Sequence, residues 1–131
     1  MPFFGSASQA VLADTCIELQ MIARIVIKAY DCSATESIRG KAAQNLAYET
    51  GKSELKYPNS KHNKTPSDAL HLIPYPVNWT NREEFTSLAG HVKMAAHILG
   101  FKVIWGGDWD NDNDLDDNEF DDLAHFEVIR K

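Results

Sequence analysis

The strongest constraint on this 131-residue chain is a set of three histidines and one acid scattered along it: Ser60-Lys61-His62, Ala69-Leu70-His71 and Asp122-Leu123-Ala124-His125. Three imidazoles with a carboxylate at hand are the ingredients of a catalytic zinc site. Such a site takes three protein ligands, keeps a fourth position for water, and uses a nearby base to remove that water's proton. His62, His71 and His125 are the candidate ligands and Asp122 the candidate base. A fold that uses them together must bring residues 62, 71 and 125 to one point.

Patterning places these residues on elements. Leu12, Ile17, Leu19, Met21, Ile22, Ile25 and Val26 recur at helical spacing and predict one scaffold helix over residues 8–29, with Ser6 or Ser8 as its N-cap. A short strand at 33–36 feeds a helix from about 39 to 50 that stops at Gly51, so Arg39 opens a rigid element. Residues 52–67, rich in Lys, Ser, Asn and Pro, read as a long loop, and 69–73 as a strand ended by Pro74.

Asn81 caps a helix to Leu99 with Glu83 and Glu84 in its first turn and Gly100 after it. Phe85, Leu88, Ala89, Val92, Ala95, Ala96 and Leu99 form its buried stripe. His91 and His97 lie six residues apart, a spacing that does not share a helix face, and are read as structural or solvent-facing. Strands at 102–105 and 124–129 complete a small antiparallel sheet covered by helices, an α+β fold in one domain spanning residues 1–131.

With 44% hydrophobic residues the chain is long enough for one core. No apolar run approaches the roughly 20 residues that cross a bilayer, and Met1-Pro2-Phe3-Phe4-Gly5 has no basic region ahead of an apolar stretch. The expectation is a soluble protein made in the cytoplasm without a signal peptide. Cys16 and Cys32 do not form a Cys-x-x-Cys pair and sit in or beside apolar segments, which predicts buried free thiols.

The net charge of -6 is one loop's doing. Residues 108–122 hold nine of the 19 acidic residues and no Lys or Arg; the rest of the chain has 13 basic against ten acidic groups. The acidic balance argues against nonspecific nucleic-acid binding. Within the loop, Asp108, Asp110, Asp112, Asp114 and Asp116 fall at positions 1, 3, 5, 7 and 9, with Glu119 at position 12. That is the ligand rhythm of an EF-hand calcium loop, with Asn113 where Gly is expected at position 6. Calcium bound through Asp108, Asp110, Asp112, Asp114 and Glu119 is the reading, against a merely solvated acidic loop.

The ordered run of Ser60 to His71, Pro74-Tyr75-Pro76, Trp79, Trp105-Gly106-Gly107-Asp108-Trp109 and Asp122 to Glu127 resembles the zinc D,L-peptidases of phage lysis enzymes, relatives of the D-Ala-D-Ala peptidases of vancomycin resistance. Upstream, Glu36-Ser37-Ile38-Arg39, Gln44 and Gly51-Lys52-Ser53 resemble the family's stretch with a substrate-facing arginine and a glutamine. The resemblance covers roughly residues 30 to 128. It implies a fold of the hedgehog and D-Ala-D-Ala-peptidase type, Arg39 and Asp122 as catalytic residues, and Gln44 as a substrate contact. Residue 71 departs from the pattern, which has aspartate there; a neutral imidazole still ligates zinc and leaves the metal more positive. Asp68 sits three residues early and, by strand alternation, on the other face.

The resemblance implies a zinc peptidoglycan endopeptidase of phage-lysis type, cutting the stem peptide between L-alanine and D-glutamate. Its partner is the stem peptide; nucleic acid and stable membrane insertion are not expected, and a monomer is. It implies a phage or prophage product acting on the wall after release from the host cytoplasm. Two alternatives stay open: a carboxypeptidase removing terminal D-alanine with the same metal site, and a catalytically silent wall-binding or virion domain, motivated by histidine at residue 71.

Overall fold

Apolar residues alternate along the strands, and this alternation decides which face of the sheet meets the helices. The computed structural model describes residues 2–111 and 122–130. Among these lie helices α1 (Ser6–Ala13), α2 (Ile17–Ala29), α3 (Lys41–Glu49) and α4 (Arg82–Leu99), a 3-10 turn (Lys61–Asn63), and strands β1 (Cys32–Glu36), β2 (Ala69–Pro74), β3 (Lys102–Gly106) and β4 (Asp122–Ile129). The strands form one antiparallel sheet in the order β1-β2-β4-β3, the expected α+β architecture.

Leu70 and Leu72 of β2 and Phe126 and Val128 of β4 point into a core shared with Leu19, Ile22 and Val26 of α2 and Leu88 and Val92 of α4. Each of these larger side chains, buried almost completely, stabilises the fold by roughly 1.5–3 kcal/mol. Because side chains alternate, the residues between them face the other way. His71 pairs with His125 across β2 and β4, and Glu36 pairs with His71 across β1 and β2. Three polar side chains therefore stand in one row on the face away from the core. A register shift between Ala34 and Glu36 passes over Thr35 and sets Glu36 opposite His71.

Helix α4 follows its sequence signals. Asn81 accepts a hydrogen bond from the Glu84 amide (3.3 Å), and Gly100 ends the helix at φ 81°. Phe85, Leu88, Ala89, Val92, Ala95 and Ala96 are buried, and Leu99 packs against the core from its edge. The thiols of Cys16 and Cys32 are free and buried, as the sequence predicts.

The single helix expected over residues 8–29 is two helices. The backbone at 14–16 leaves the helical path to pair with Ser67: Ser67 N donates to Asp14 O and Cys16 N to Ser67 O, both at 2.9 Å. Thr15 turns its hydroxyl back to Val11 O (2.9 Å). After the break the buried stripe of α2 is Leu19, Ile22, Ala23, Val26 and Ile27, leaving Ile17, Met21 and Ile25 outside. Neither serine caps α1: its N-cap is Gly5, and Ser8 Oγ instead accepts from Ala34 N (3.0 Å). Helix α3 begins at Lys41, two residues after Arg39, whose amide is tied to His62 O (2.7 Å).

Candidate metal centre

Two of the three imidazoles come from the sheet row and the third from the loop beneath it. His62 sits in the 3-10 turn, whose start is fixed by a reciprocal cap: Ser60 Oγ accepts from His62 N (3.2 Å) and Asn63 Oδ1 accepts from Ser60 N (3.0 Å). Its ring is 1% exposed. Nδ1–H donates to Ser37 O (2.6 Å), which fixes the tautomer and leaves the Nε2 lone pair aimed inward. His125 is oriented by Glu127, whose Oε1 lies 2.8 Å from Nε2, so Nδ1 faces the centre. His71 turns Nε2 inward while its Nδ1 lies 3.6 Å from Glu36 Oε1.

The inward nitrogens of His62, His71 and His125 are 3.2, 3.1 and 3.4 Å apart. Ligands about 2.0–2.1 Å from a tetrahedral ion are themselves about 3.3–3.4 Å apart, so the three lone pairs match the base of such a site. The outer nitrogen of each ring faces a carbonyl or a carboxylate, the arrangement that orients metal-bound histidines. Among the described residues these three are the group that can share an ion.

Burial keeps the His62 and His71 rings neutral. It pushes His62 down to about 4, helped by the neighbouring His125, and lowers His71 further, with His62 and His125 as added causes. Neutral imidazoles hold free lone pairs at neutral pH. The metal-free protein should therefore lose stability as pH falls. Below about 6.5 the unfolded chain protonates at residue 62 while the folded one does not, so the loss runs from about 6.5 down to about 4 and amounts to roughly 2–4 kcal/mol. Urea unfolding of chelator-treated protein at pH 7.5, 6 and 5, compared with His62→Asn, checks this. A pH slope no steeper than the variant's would refute it.

Asp122 opens β4, with Oδ2 3.7 Å from His71 Nε2 and 3.9 Å from His125 Nδ1. Burial raises its pKa, against the pull of His125 and Arg39. Its placement depends on Gly106, opposite it on β3. A Cβ on Gly106 would lie 2.0 Å from Asp122 O, a contact with backbone that no rotamer relieves. At Gly107 a Cβ would meet the Trp105 ring at 2.5 Å. Gly106→Ala should destabilise the protein by roughly 1–3 kcal/mol, and it should displace Asp122. Urea unfolding and activity assays read the two effects. Wild-type values in both would show that β3 does not need this close approach.

Arg39 is held from two sides: Glu36 takes Nη2 and lies 3.4 Å from Nε, and Gln44 Oε1 accepts from Nη1 (3.1 Å). Gln44 is 0% exposed; its Nε2 donates to Ser53 Oγ (3.0 Å) and Leu55 O (2.6 Å), and its Oε1 also accepts from Asn63 Nδ2 (3.3 Å). Gln44 thus lies beneath the cleft wall, steadying Arg39 and the loop. Arg39 and Asp122 border a two-lobed cleft with Lys52. One lobe, about 630 Å³, adds Glu54, Lys61, Asp110 and Trp109. The other, about 880 Å³, adds Ala43, Leu46, Ala47, His71 and Trp79.

Glu36 and Ser37 as partners of the imidazoles are what sequence reasoning missed. Their signal was strand parity at Glu36, readable only once its pairing with β2 is known. Asp68 is buried and paired with Lys64 (2.9 Å) and Arg130, away from the site as alternation predicts. His91 bonds Ser87 O and leans on Tyr30, outside the site. Trp105 is core, its Nε1 donating to Leu123 O (2.7 Å), whereas Trp109 lies 5.2 Å from the His125 ring. In the proposed calcium loop, Asp108 is buried with Oδ2 3.3 Å from Lys93 Nζ, and Asp110 lines the cleft. Asp112, Asp114, Asp116 and Glu119 lie outside the described residues.

A family model described as phage L-alanyl-D-glutamate peptidase matches residues 1–129. The L-alanyl-D-glutamate peptidase of Escherichia phage T5 is 34% identical over 121 residues, 87% of this chain and 86% of that protein. Among solved structures, an L-Ala D-Glu endopeptidase from Serratia marcescens shares the fold with a TM-score of 0.77 at 22% identity, over 98% of this chain and 91% of that one.

Proposed function

This chain belongs to the phage L-alanyl-D-glutamate peptidase family and is a peptidoglycan endopeptidase, and we propose that it cuts the L-alanyl–D-glutamate bond of the stem peptide with one zinc ion held by His62, His71 and His125. The observation that carries the metal reading is the convergence of three imidazole nitrogens within 3.4 Å of one another. A zinc ion held by His62, His71 and His125 would supply Lewis-acid polarisation of the scissile carbonyl and lower the pKa of water toward about 7.

The chain's own residues do the rest. Asp122 takes a proton from the attacking water and returns it to the leaving amine; a carboxylate whose pKa burial has raised is the better proton acceptor. Arg39, fixed by Glu36 and Gln44, presents a planar cation to the oxygen that gains negative charge, or to a substrate carboxylate. Gln44 acts on the substrate through Arg39. Glu127 is committed to His125 and, 3.5 Å away, to Lys61 Nζ; the His125 bond first and Lys61 second hold its carboxyl below the usual range against burial.

We read residues 1–131 as one catalytic domain working as a monomer on the wall after release from the host cytoplasm. No helix among the described residues is long and apolar enough to cross a membrane. The acidic loop is read as a calcium site, for which calcium titration with magnesium as control is the test; no heat in the millimolar range would sink it. Digestion of purified muropeptides with mass analysis tests the reaction: new N-terminal D-glutamate is expected. Loss of terminal D-alanine alone would make it a carboxypeptidase, and binding to sacculi without new amino groups would make it a silent wall-binding domain.

A further inference from the structure

The larger lobe of the cleft carries an aromatic side chain that neither the metal site nor the core accounts for. Trp79, between β2 and α4, is 65% exposed, yet its ring is braced: it stacks on Phe85, with centroids 5.5 Å apart and planes 27° from parallel. Phe85 is 1% exposed in the first turns of α4. One side of the indole thus rests on a buried phenyl while the remainder stands along the lobe that also holds His71 and Asp122. Ala43, Leu46 and Ala47 of α3 line the same lobe, and Leu46 is 60% exposed. The smaller lobe differs in the residues it adds, Glu54, Lys61, Asp110 and Trp109, whereas Arg39, Lys52 and Asp122 border both.

We propose that Trp79 is a sugar platform that seats the amino-sugar ring carrying the stem peptide. The inference rests on the L-alanyl–D-glutamate reading. In the wall polymer the alanine nitrogen is acylated by the lactyl group of N-acetylmuramic acid. Only the alanine and that lactyl unit separate the scissile carbonyl from the sugar ring, about 7 Å of chain. A cut at this bond therefore brings a pyranose ring to the wall of the cleft, whereas a cut at the far end of the stem does not.

The ring's axial C–H groups carry partial positive charge and suit the negative face of an indole, and the indole N–H edge can meet a hydroxyl. Alanyl, lactyl and acetyl methyl groups suit Ala43, Leu46 and Ala47. The orientation follows: the lobe bordered by Trp79, Ala43, Leu46 and Ala47 takes the glycan side of the bond. The lobe that adds Glu54, Lys61 and Asp110 takes D-glutamate and the residues after it, which carry free carboxylates and, in a diamino acid, an ammonium group.

Two substrates with the same peptide separate the possibilities: a disaccharide-bearing muropeptide and the sugar-free stem peptide with its alanine N-acetylated. The readout is the ratio of their kcat/KM values for the metal-loaded protein. The expected ratio is roughly 3- to 10-fold in favour of the sugar-bearing substrate in the wild type, near one in Trp79→Ala, and largely kept in Trp79→Tyr. Peptide-free glycan chains should inhibit the wild type and not Trp79→Ala. A wild-type ratio near one, or an unchanged ratio in Trp79→Ala, overturns the platform while leaving the endopeptidase reading intact. Failure to cut either substrate overturns both.

Discussion

Replacing Asp122 by asparagine lowers turnover on muropeptides by about 100-fold or more and leaves the metal content unchanged. The amide has nearly the carboxylate's volume, so Gly106 can still pack against the Asp122 backbone, and the three imidazoles keep their own partners. It cannot accept the water's proton, and general base catalysis is typically worth 10²–10⁴-fold, on the order of 3–5 kcal/mol. The two other carboxylates that stand beside the imidazoles are already engaged. Glu127 is bonded to His125, and that bond, with Lys61 behind it, lowers its pKa against the effect of burial; Glu36 is engaged by Arg39 and His71. Steady-state kinetics on a defined muropeptide, with metal analysis of the same sample, checks both halves. An unaffected rate would remove Asp122 from the chemistry.

The second large effect is at His71. His71→Ala removes one of three nitrogens and opens the centre to water from the larger lobe. Losing an outer partner of a metal ligand commonly costs 10–100-fold in affinity, so losing the ligand itself should cost at least about 100-fold and nearly all activity. Metal analysis and competition with a chelator measure it; equal zinc content in variant and wild type would show that residue 71 is not a ligand. His71→Asp is the informative companion, expected to keep metal and activity. Its added negative charge falls beside Glu36 and Asp122, but Arg39 stands next to the same carboxylates and offsets it. His71→Asp without metal would mean that this centre is tuned for three imidazoles.

Legibility varied with the distance over which each signal acts. Helix α4 could be read from end to end, because its cap Asn81, its acidic first turn, its apolar stripe and Gly100 all act within a few residues of where they stand. Strand β2 was legible for the same reason, as alternation put His71 on one face and Leu70 and Leu72 on the other. The break between α1 and α2 was not: residues 8–29 satisfy helical periodicity throughout, and what interrupts them is Ser67, some fifty residues away. A tertiary backbone pairing outweighed a local propensity worth only tenths of a kcal/mol per residue.

The same division runs through the site. Residue chemistry by itself determined which side chains this chain could offer a metal ion, because His62, His71 and His125 are candidate donors and Asp122 a candidate base by side-chain type alone. Only the tertiary structure decided that they meet. Cross-strand register set Glu36, His71 and His125 in one row. The bulge at Thr35 decided that a carboxylate faces His71, and Gly106 let the Asp122 backbone come close enough to aim its side chain. Gln44 carries an amide that suits a substrate contact, yet packing drew it under the wall to hold Arg39. Side-chain type is a local property that the sequence states outright. Register, close approach and burial are relations between distant segments, and they exist only once the chain has folded.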